Sequence, residues 1–355
     1  MQNTFLIYGA NGYTGELITR FAVERGLKLI VAGRNENAIK ELAHKHELEH
    51  RIFALDERDK LDAALQEVEL VLHCAGPFSL TSKLMVEACL RNKKHYTDIT
   101  GEISVFEACA AKDKKAQEAG IMIMPGAGFD VVPTDCLALH LKNRLPDATK
   151  LSLAFASLGG ALSHGTAMTM AESLGEGGAA RENGVIVKKP LGHKGREIDF
   201  GPKKLFVMAI PWGDVSTAFH TTGIPDITVY TSVPKNIFRV LKLQPLFNWL
   251  LKTSAARNFF RKQVNKRPAG PSKENRLKSK SLVWGEVENA NGEKCVSTLV
   301  SPDGYTLTAY SSLIIAEKAI NGNFIIGYQT PGSAYGEDLV LEVPGVKRQD
   351  VEPST

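Results

Sequence analysis

The chain has 355 residues, of which 43% are hydrophobic and 23% charged, and a net charge of +4. That length suffices for two domains with a substantial core, and the charge is too small to indicate nucleic acid as a partner. Five cysteines stand singly at Cys74, Cys89, Cys109, Cys136 and Cys295 with no CxxC pair, so neither a disulfide framework nor a zinc site is expected.

The first predicted strand, "TFLIY" (residues 4–8), is short and apolar, as a strand buried on both faces should be. It runs into "GANGYTG", with Gly9, Gly12 and Gly15. The following "ELITRFAVERG" places Leu17, Ile18, Phe21 and Ala22 at helical spacing and stops at Gly26. In the order strand, glycine loop, helix, each glycine has a task. Gly9 allows a tight turn, Gly12 lets a pyrophosphate approach the backbone, and Gly15 lets the helix pack closely on the strand. The helix start adds free N–H groups and positive dipole, so Asn11, Tyr13 and Thr14 join the expected dinucleotide contacts. A purely structural glycine turn is the bland alternative.

Strands and helices then alternate. "LKLIVAGR" is followed by a helix through "NAIKELAHKH", "RIFAL" by a helix through "RDKLDAALQE", and "VELVLHCAG" by a helix in "SKLMVEACLRN". "KHYTDI", one helix through "ISVFEACAAKDKKAQEAG", and "IMIMPG" complete the series. This spacing predicts an α/β Rossmann domain over residues 1–125, a parallel sheet with helices on both faces. Ligands of such sheets bind beyond the C-terminal strand ends, which singles out the loops "GANGYTG", "GRN", "LDERD", "CAGPF", "DITGE" and "GAGFD".

The second strand ends in "VAGRN". A carboxylate about 20 residues beyond the glycine motif would hold the ribose of NAD. Arg34 stands there instead, and an arginine would pair with a 2′-phosphate. NADP is therefore the expected cofactor, with Asn35 and Asp56 beside Arg34; an arginine on a solvated loop is the alternative. "CAGPF" adds Ala75, Gly76, Pro77 and Phe78. Gly76 permits approach of a ribose and nicotinamide, Pro77 fixes the turn, and Phe78 packs near the ring.

Hydride transfer asks the protein for positioning and a proton donor. The candidates beside the nicotinamide loops are Tyr96, Asp98, Glu102 and Asp130, with Asp135 further on. Each has a structural alternative: Asp98 as a loop brace, Glu102 as a favourable charge in a first helical turn, Asp135 as a helix cap. His164 is a weaker candidate in a glycine-rich segment, and His193 is expected on a solvated loop. No His/Cys/Asp cluster suggests a metal and no GxSxG elbow is present. No tyrosine has a lysine four positions on, so the Tyr-x-x-x-Lys arrangement of short-chain dehydrogenases is absent.

The second domain, residues 126–325, is expected to be α+β with a mostly antiparallel sheet, carrying substrate and any dimer contact. The helix "CLALHLKNRL" leads to the strand "KLSLAFAS" and a helix starting near Ser163. "KLFVMAI", "VSTAFHT", "DITVYTSV", "SLVWGEVE" and "KCVSTLVS" read as extended, and "GYTLTAYSSLIIAEKAI" as a helix ending at Gly322. No acidic residue occurs between Asp226 and Glu274, whereas Lys235, Arg239, Lys242, Lys252, Arg257, Arg261, Lys262, Lys266, Arg267 and Lys273 are basic. Ile237, Val240 and Leu241, then Leu246, Trp249 and Leu250 after Pro245, predict two amphipathic helices. Residues 235–267 suit an ordinary solvated face, an acidic acyl carrier or CoA, or a peripheral membrane contact. No apolar run spans a bilayer, and the first strand follows Met1 almost directly. A cytoplasmic protein is the expectation.

The motifs together resemble the saccharopine dehydrogenase-like family. "YGANGYTGELITRF", "VAGRN", "VLHCAGPF", "HYTDITGE" and "PGAGFDVVPTD" resemble its NADP-binding domain and domain junction. "GGALSHGTAMT", "SPDGYTLTAYSS" and "GYQTPGSAYGEDL" resemble the branch that includes trans-acting enoyl reductases. The resemblance implies an NADP-dependent oxidoreductase acting on a small molecule, either an imine or a carbon–carbon double bond of a thioester-linked acyl chain. It also implies that residues 326–355 return toward the first domain. A homodimer is compatible with this organisation. The reading from another class is a non-catalytic NADP-binding sensor or scaffold.

Overall fold

The computed structural model describes residues 3–172, 175–251, 253–266 and 268–352. Lys252 and Arg267 of the basic stretch, and the side chains of Pro245 and Leu250, lie outside the described residues. The chain forms two compact units, Met1–Val132 with Tyr305–Ala334, and Pro133–Gly304 with Tyr335–Thr355.

The first unit is built on β1 (Phe5–Tyr8), β2 (Leu29–Gly33), β3 (Glu49–Ile52), β4 (Leu70–His73), β5 (His95–Asp98) and β6 (Met122–Met124). Their order is β6-β5-β4-β1-β2-β3, and every pairing is parallel. Strands β1, β2, β4 and β6 are buried throughout, which is why they read as continuous apolar runs rather than alternating ones. The connecting helices are α1 (Tyr13–Glu24), α2 (Glu36–His46), α3 (Arg58–Leu65), α4 (Phe78–Asn92), α5 (Ile103–Ala110) and α6 (Asp113–Ala119). The strand order reverses between β1 and β4, so their C-terminal ends frame the crevice where such folds take ligands. The stretch expected as one helix is two. Lys112 leaves helical geometry at φ −101°, and Asp113 restarts the helix while accepting the Tyr328 N–H at 2.8 Å.

After α7 (Val132–Arg144) come β7 (Lys150–Leu158), α8 (His164–Glu172), β8 (Gly178–Glu182), β9 (Val185–Lys189), β10 (Gly195–Asp199) and β11 (Lys204–Ile210). Then follow α9 (Asp214–Thr222), β12 (Asp226–Ser232), α10 (Lys235–Leu241), α11 (Asn248–Leu251), α12 (Ser254–Val264), α13 (Lys273–Lys278), β13 (Lys280–Glu288) and β14 (Lys294–Pro302). The final elements are α14 (Gly304–Ile320), β15 (Gly327–Tyr328) and β16 (Lys347–Val351). The second sheet runs β10-β11-β12-β7-β13-β14-β16, with β8 and β9 alongside. Only the β12–β7 pairing in it is parallel.

Three features differ from the sequence expectation. "VSTAFHT" is not extended but lies in α9. Its β-branched residues suggested a strand, yet Thr221 and Thr222 bond back to the carbonyls of Thr217 and Ala218, and Gly223 ends the helix at φ +69°. The β8–β9 hairpin was not anticipated; its turn is Asn183-Gly184, both at positive φ, which a two-residue hairpin requires. Finally, α14 and β15 belong to the first unit, β15 adding beside β6, whereas β16 pairs with β14 in the second. The chain therefore divides at 132, 304 and 334 rather than at 125 and 325.

Candidate functional site

The site lies in the first unit, at the C-terminal ends of β1, β2, β4 and β5. Gly9 leaves β1 at φ +80°, and a Cβ there would lie 2.8 Å from Ala75. The glycine is thus fixed both by backbone conformation and by the approach of the β4 loop. A Cβ at Gly15 would sit on the Gly9 carbonyl and 2.9 Å from Ala10 Cα, so α1 can seat on β1 only without it. Gly12 differs. Its φ of −75° suits any residue, it is exposed, and a Cβ would meet only the Gly9 carbonyl, at 3.3 Å. Gly12 is also the N-cap of α1 and offers no side-chain bond to the helix's first N–H groups. Asn11 is exposed, and Tyr13 and Thr14 are half-buried; the Tyr13 ring meets Tyr305 edge-on at 5.1 Å. Asn11 Oδ1 comes 3.2 Å from where a Cβ on Gly33 would be, which draws the β1 and β2 loops together.

Beyond β2, Arg34 is exposed and has no hydrogen-bond or ion-pair partner among the described residues. Its neighbour Asn35 caps α2, accepting the Ala38 N–H at 3.2 Å, so that oxygen is already engaged. Asp56 is exposed on the loop after β3. The Tyr8 hydroxyl donates to the Phe53 carbonyl at 3.1 Å and senses this corner. Burial pushes it up to about 12, with Asp56 and Glu57 adding to the effect and Arg34 opposing it.

At the other end, "CAGPF" is fastened from two sides. Thr81 donates to the Ala75 carbonyl at 2.6 Å and lies 3.0 Å from His73 Nε2, which therefore carries the proton. Burial depresses His73 to about 3, so the ring stays neutral. The second fastening is Glu102, whose two oxygens accept the N–H groups of Phe78 (2.7 Å) and Ser79 (3.0 Å). A carboxylate thus caps α4 from outside, where Pro77 supplies no side-chain bond. Gly76 remains exposed and Pro77 half-buried. Phe78 is buried, edge-on to His73 at 5.6 Å, so it belongs to the core rather than to an open ring-binding face.

The expected proton donors separate by environment. Tyr96 and Asp98 are completely buried, and the Tyr96 hydroxyl donates to Asp98 at 2.6 Å. Asp98 also accepts the N–H groups of Thr100 (3.0 Å) and Gly126 (2.8 Å). Burial raises it to about 6 and drives Tyr96 far above the usual phenol range. Sealed from solvent, this pair braces two loops rather than lining an open surface. Glu102 is likewise engaged at α4. Asp130, like Glu102, is half-buried; it lies against Gly101, where a Cβ would come 2.7 Å from its oxygen. Burial raises Asp130 to about 7.

Its loop is held by residues that were not among the expected site residues. Ala127 N–H donates to the Asp98 carbonyl (2.7 Å), Ser311 to the Ala127 carbonyl (2.8 Å), and Phe129 N–H to Thr308 (2.9 Å). Thr308 and Ser311 lie on α14, far along the chain; they fall in the stretch "SPDGYTLTAYSS" noted above, but nothing local ties that stretch to this loop. The second-unit candidates have structural partners or surroundings. Asp135 accepts from Thr221 at 2.5 Å, and His164 meets Asn265 at 2.9 Å. His193 is half-buried rather than solvated, and that burial lowers its pKa. Among the described residues no group of three His, Cys, Asp or Glu side chains could hold a metal.

An exposed glycine at an uncapped helix start, an unpaired arginine after β2 and a bare Gly76 after β4 define a dinucleotide-binding α/β domain. Residues 5–124 match the saccharopine dehydrogenase NADP binding domain, and this part of the chain is an NADP-binding domain. The chain is similar to the saccharopine dehydrogenase-like oxidoreductase of Mus musculus, 29% identical over 160 residues, which cover 39% of this chain and 37% of that protein. It is similar also to the lipid droplet localized protein of Caenorhabditis elegans, 27% identical over 205 residues, covering 52% and 48%. The chain thus spans less than half the length of these relatives. Its fold matches that of apo saccharopine dehydrogenase (L-Glu forming) from Saccharomyces cerevisiae with a TM-score of 0.67 at 12% identity, over 98% of this chain and 100% of that one.

Proposed function

We propose that the chain is an NADP(H)-dependent oxidoreductase that transfers a hydride to or from a small-molecule imine or an enoyl group of an acyl chain. The observation that carries this reading is the contrast between glycines. Gly9 and Gly15 are demanded by the protein's own interior, whereas Gly12 is exposed at an ordinary φ and a Cβ there would press on one backbone atom alone, the Gly9 carbonyl at 3.3 Å. A bare backbone there serves a ligand rather than the fold.

In this reading the loop from Gly9 to Gly15 holds the pyrophosphate, with Asn11, Tyr13 and Thr14 at its rim. Arg34 pairs with the 2′-phosphate, beside Asn35 and Asp56, and residues 75–78 flank the nicotinamide. NADPH, when bound, supplies the hydride. Asp130 supplies or takes the proton: it is half-buried on its loop, and burial raises it to about 7, so it changes charge near neutral pH. Tyr96, Asp98 and Glu102 act indirectly, by fixing the loops on either side. An imine asks for a proton on nitrogen and an enoyl group for one on carbon, and one carboxylic acid serves either. A CoA-linked or carrier-linked chain is the form proposed for an enoyl substrate, and the cytoplasm the proposed compartment.

The test compares Gly12→Ala with Gly15→Ala. Gly12→Ala, whose methyl group needs the Gly9 carbonyl to give by a few tenths of an ångström, should fold with a smaller stability loss than Gly15→Ala while losing roughly tenfold or more in NADPH affinity. Gly15→Ala should lose stability as well, because its methyl group strikes backbone. Unchanged NADPH binding by folded Gly12→Ala would remove the basis of the assignment.

A further inference from the structure

The cofactor reading makes no use of the surface formed by residues 235–266 in the second unit. The segment is anchored at both ends. The Phe238 ring lies 5.0 Å from Phe206 and fills the space over Gly195, fixing α10 to the β10–β11 hairpin. At the other end Val264 is buried, and Asn265 meets His164 at the start of α8. Between these anchors apolar side chains face outward: Ile237, Val240, Leu246, Phe247, Trp249 and Phe259 are all exposed, Trp249 by 72%. A single exposed leucine is ordinary, but this many large apolar groups on one short segment are not.

The charges around them have one sign. No acidic residue lies between Asp226 and Glu274. Lys235 and Arg257 have partners in Glu197 and Glu176. Arg239, Lys262 and Lys266 are exposed and have no acidic partner among the described residues. An acidic carrier protein would answer these cations yet leave Trp249 and its neighbours in water. A surface with anionic headgroups above an acyl layer answers both at once. Tryptophan suits that boundary, with an apolar body and one N–H for the headgroup region.

We propose that residues 235–266 dock the protein on an anionic phospholipid bilayer, the apolar side chains entering the acyl boundary and the free cations resting among the headgroups. The docking is peripheral, since no helix among the described residues is long and apolar enough to cross a membrane. It stands independently of the cofactor assignment.

Vesicle co-sedimentation of the full chain, read together with tryptophan fluorescence, tests the proposal. Wild type should bind phosphatidylcholine vesicles containing phosphatidylglycerol, show blue-shifted emission, and come off in high salt. It should bind pure phosphatidylcholine weakly. Each basic residue near an anionic surface contributes about fivefold in partition, so R239Q/K262Q/K266Q should bind about 100-fold more weakly. F247S/W249S should also lose binding although its charge is unchanged, and the blue shift should vanish in Trp249→Phe. All these variants should keep wild-type NADPH affinity, which shows that they are folded. Failure of wild type to bind the anionic vesicles would overturn the proposal, as would undiminished, wild-type binding by the two multiple variants. Salt-sensitive binding to an acyl carrier protein without any binding to vesicles would overturn it too, and assign the surface to a carrier.

Discussion

The two side chains to which the proposed chemistry assigns cofactor choice and proton transfer differ in how their charge is held. Arg34 is exposed and unpaired, so its charge is available to a ligand at no desolvation cost to the protein. A charge-assisted bond to phosphate contributes about 1.5–3 kcal/mol, so Arg34→Ala should weaken NADPH by roughly 10- to 100-fold and leave NADH almost unchanged. Titrating both nucleotides into both proteins measures this, and equal losses for the two would show that Arg34 does not read the 2′-phosphate. Asp130 is the opposite case. Its raised value, about 7, means that the folded state retains a proton that an unfolded aspartate releases near pH 4. Its effect on stability is therefore unfavourable. The effect is absent below the unfolded value, grows as pH rises through the window from about 4 to 7, and is complete above it. Asp130→Asn should gain stability relative to wild type as pH rises across that window, measured by urea unfolding at several pH values. In the reductive direction wild-type turnover should fall above about pH 7, and Asp130→Asn should lose that limb together with about 10²–10⁴ in rate.

At the scale of elements, the nicotinamide end is made by helix starts and the loops that hold them. α4 begins at Pro77 without a side-chain cap of its own, and Glu102 supplies one from the loop before α5. That arrangement couples "CAGPF" to "DITGE", so both loops move if the carboxylate is lost. Glu102→Ala should cost about 1–2 kcal/mol, the ordinary range for removing a helix cap, and weaken NADPH. Glu102→Gln keeps one acceptor and should recover part of both. Loss of stability with unchanged NADPH affinity would mean that the cap serves the helix alone. The same logic applies to Tyr96 and Asp98: a carboxylate accepting three bonds at the end of β5 sets where Gly126 and the Asp130 loop begin.

For the molecule as a whole, the first unit is complete only when the chain comes back to it. Ten residues of α14 are buried, and two of its hydroxyls fasten the loop that carries Asp130. A fragment ending at residue 303 should therefore fail to unfold cooperatively and fail to bind NADPH, although it contains the entire matched family region, residues 5–124. Calorimetry and nucleotide titration of that fragment check the expectation. A soluble, cooperatively folding, NADPH-binding fragment would show that α14 is an accessory to the first unit.

The sequence by itself determined most of the first sheet, because β1, β2, β4 and β6 lie in short apolar runs that alternate with helices, while the more polar β3 and β5 are placed by that alternation. It also determined the glycine loop and the place of Arg34, since those depend on spacing within one strand–loop–helix unit. Only the tertiary structure decided what the carboxylates do. Asp98, Glu102 and Asp130 look alike in the sequence, yet one is sealed in the core, one caps a helix and one lies half-buried against Gly101. Their partners, above all Thr308 for the Asp130 loop, come from elements distant in the chain, and burial sets their proton affinity. The destination of α14 was hidden for a related reason. The helix is apolar nearly all round, so its sequence shows that it is buried but not which core it joins. β-branched α9 was misread because its hydroxyls bond within the helix, a contact that exists only once the helix has formed.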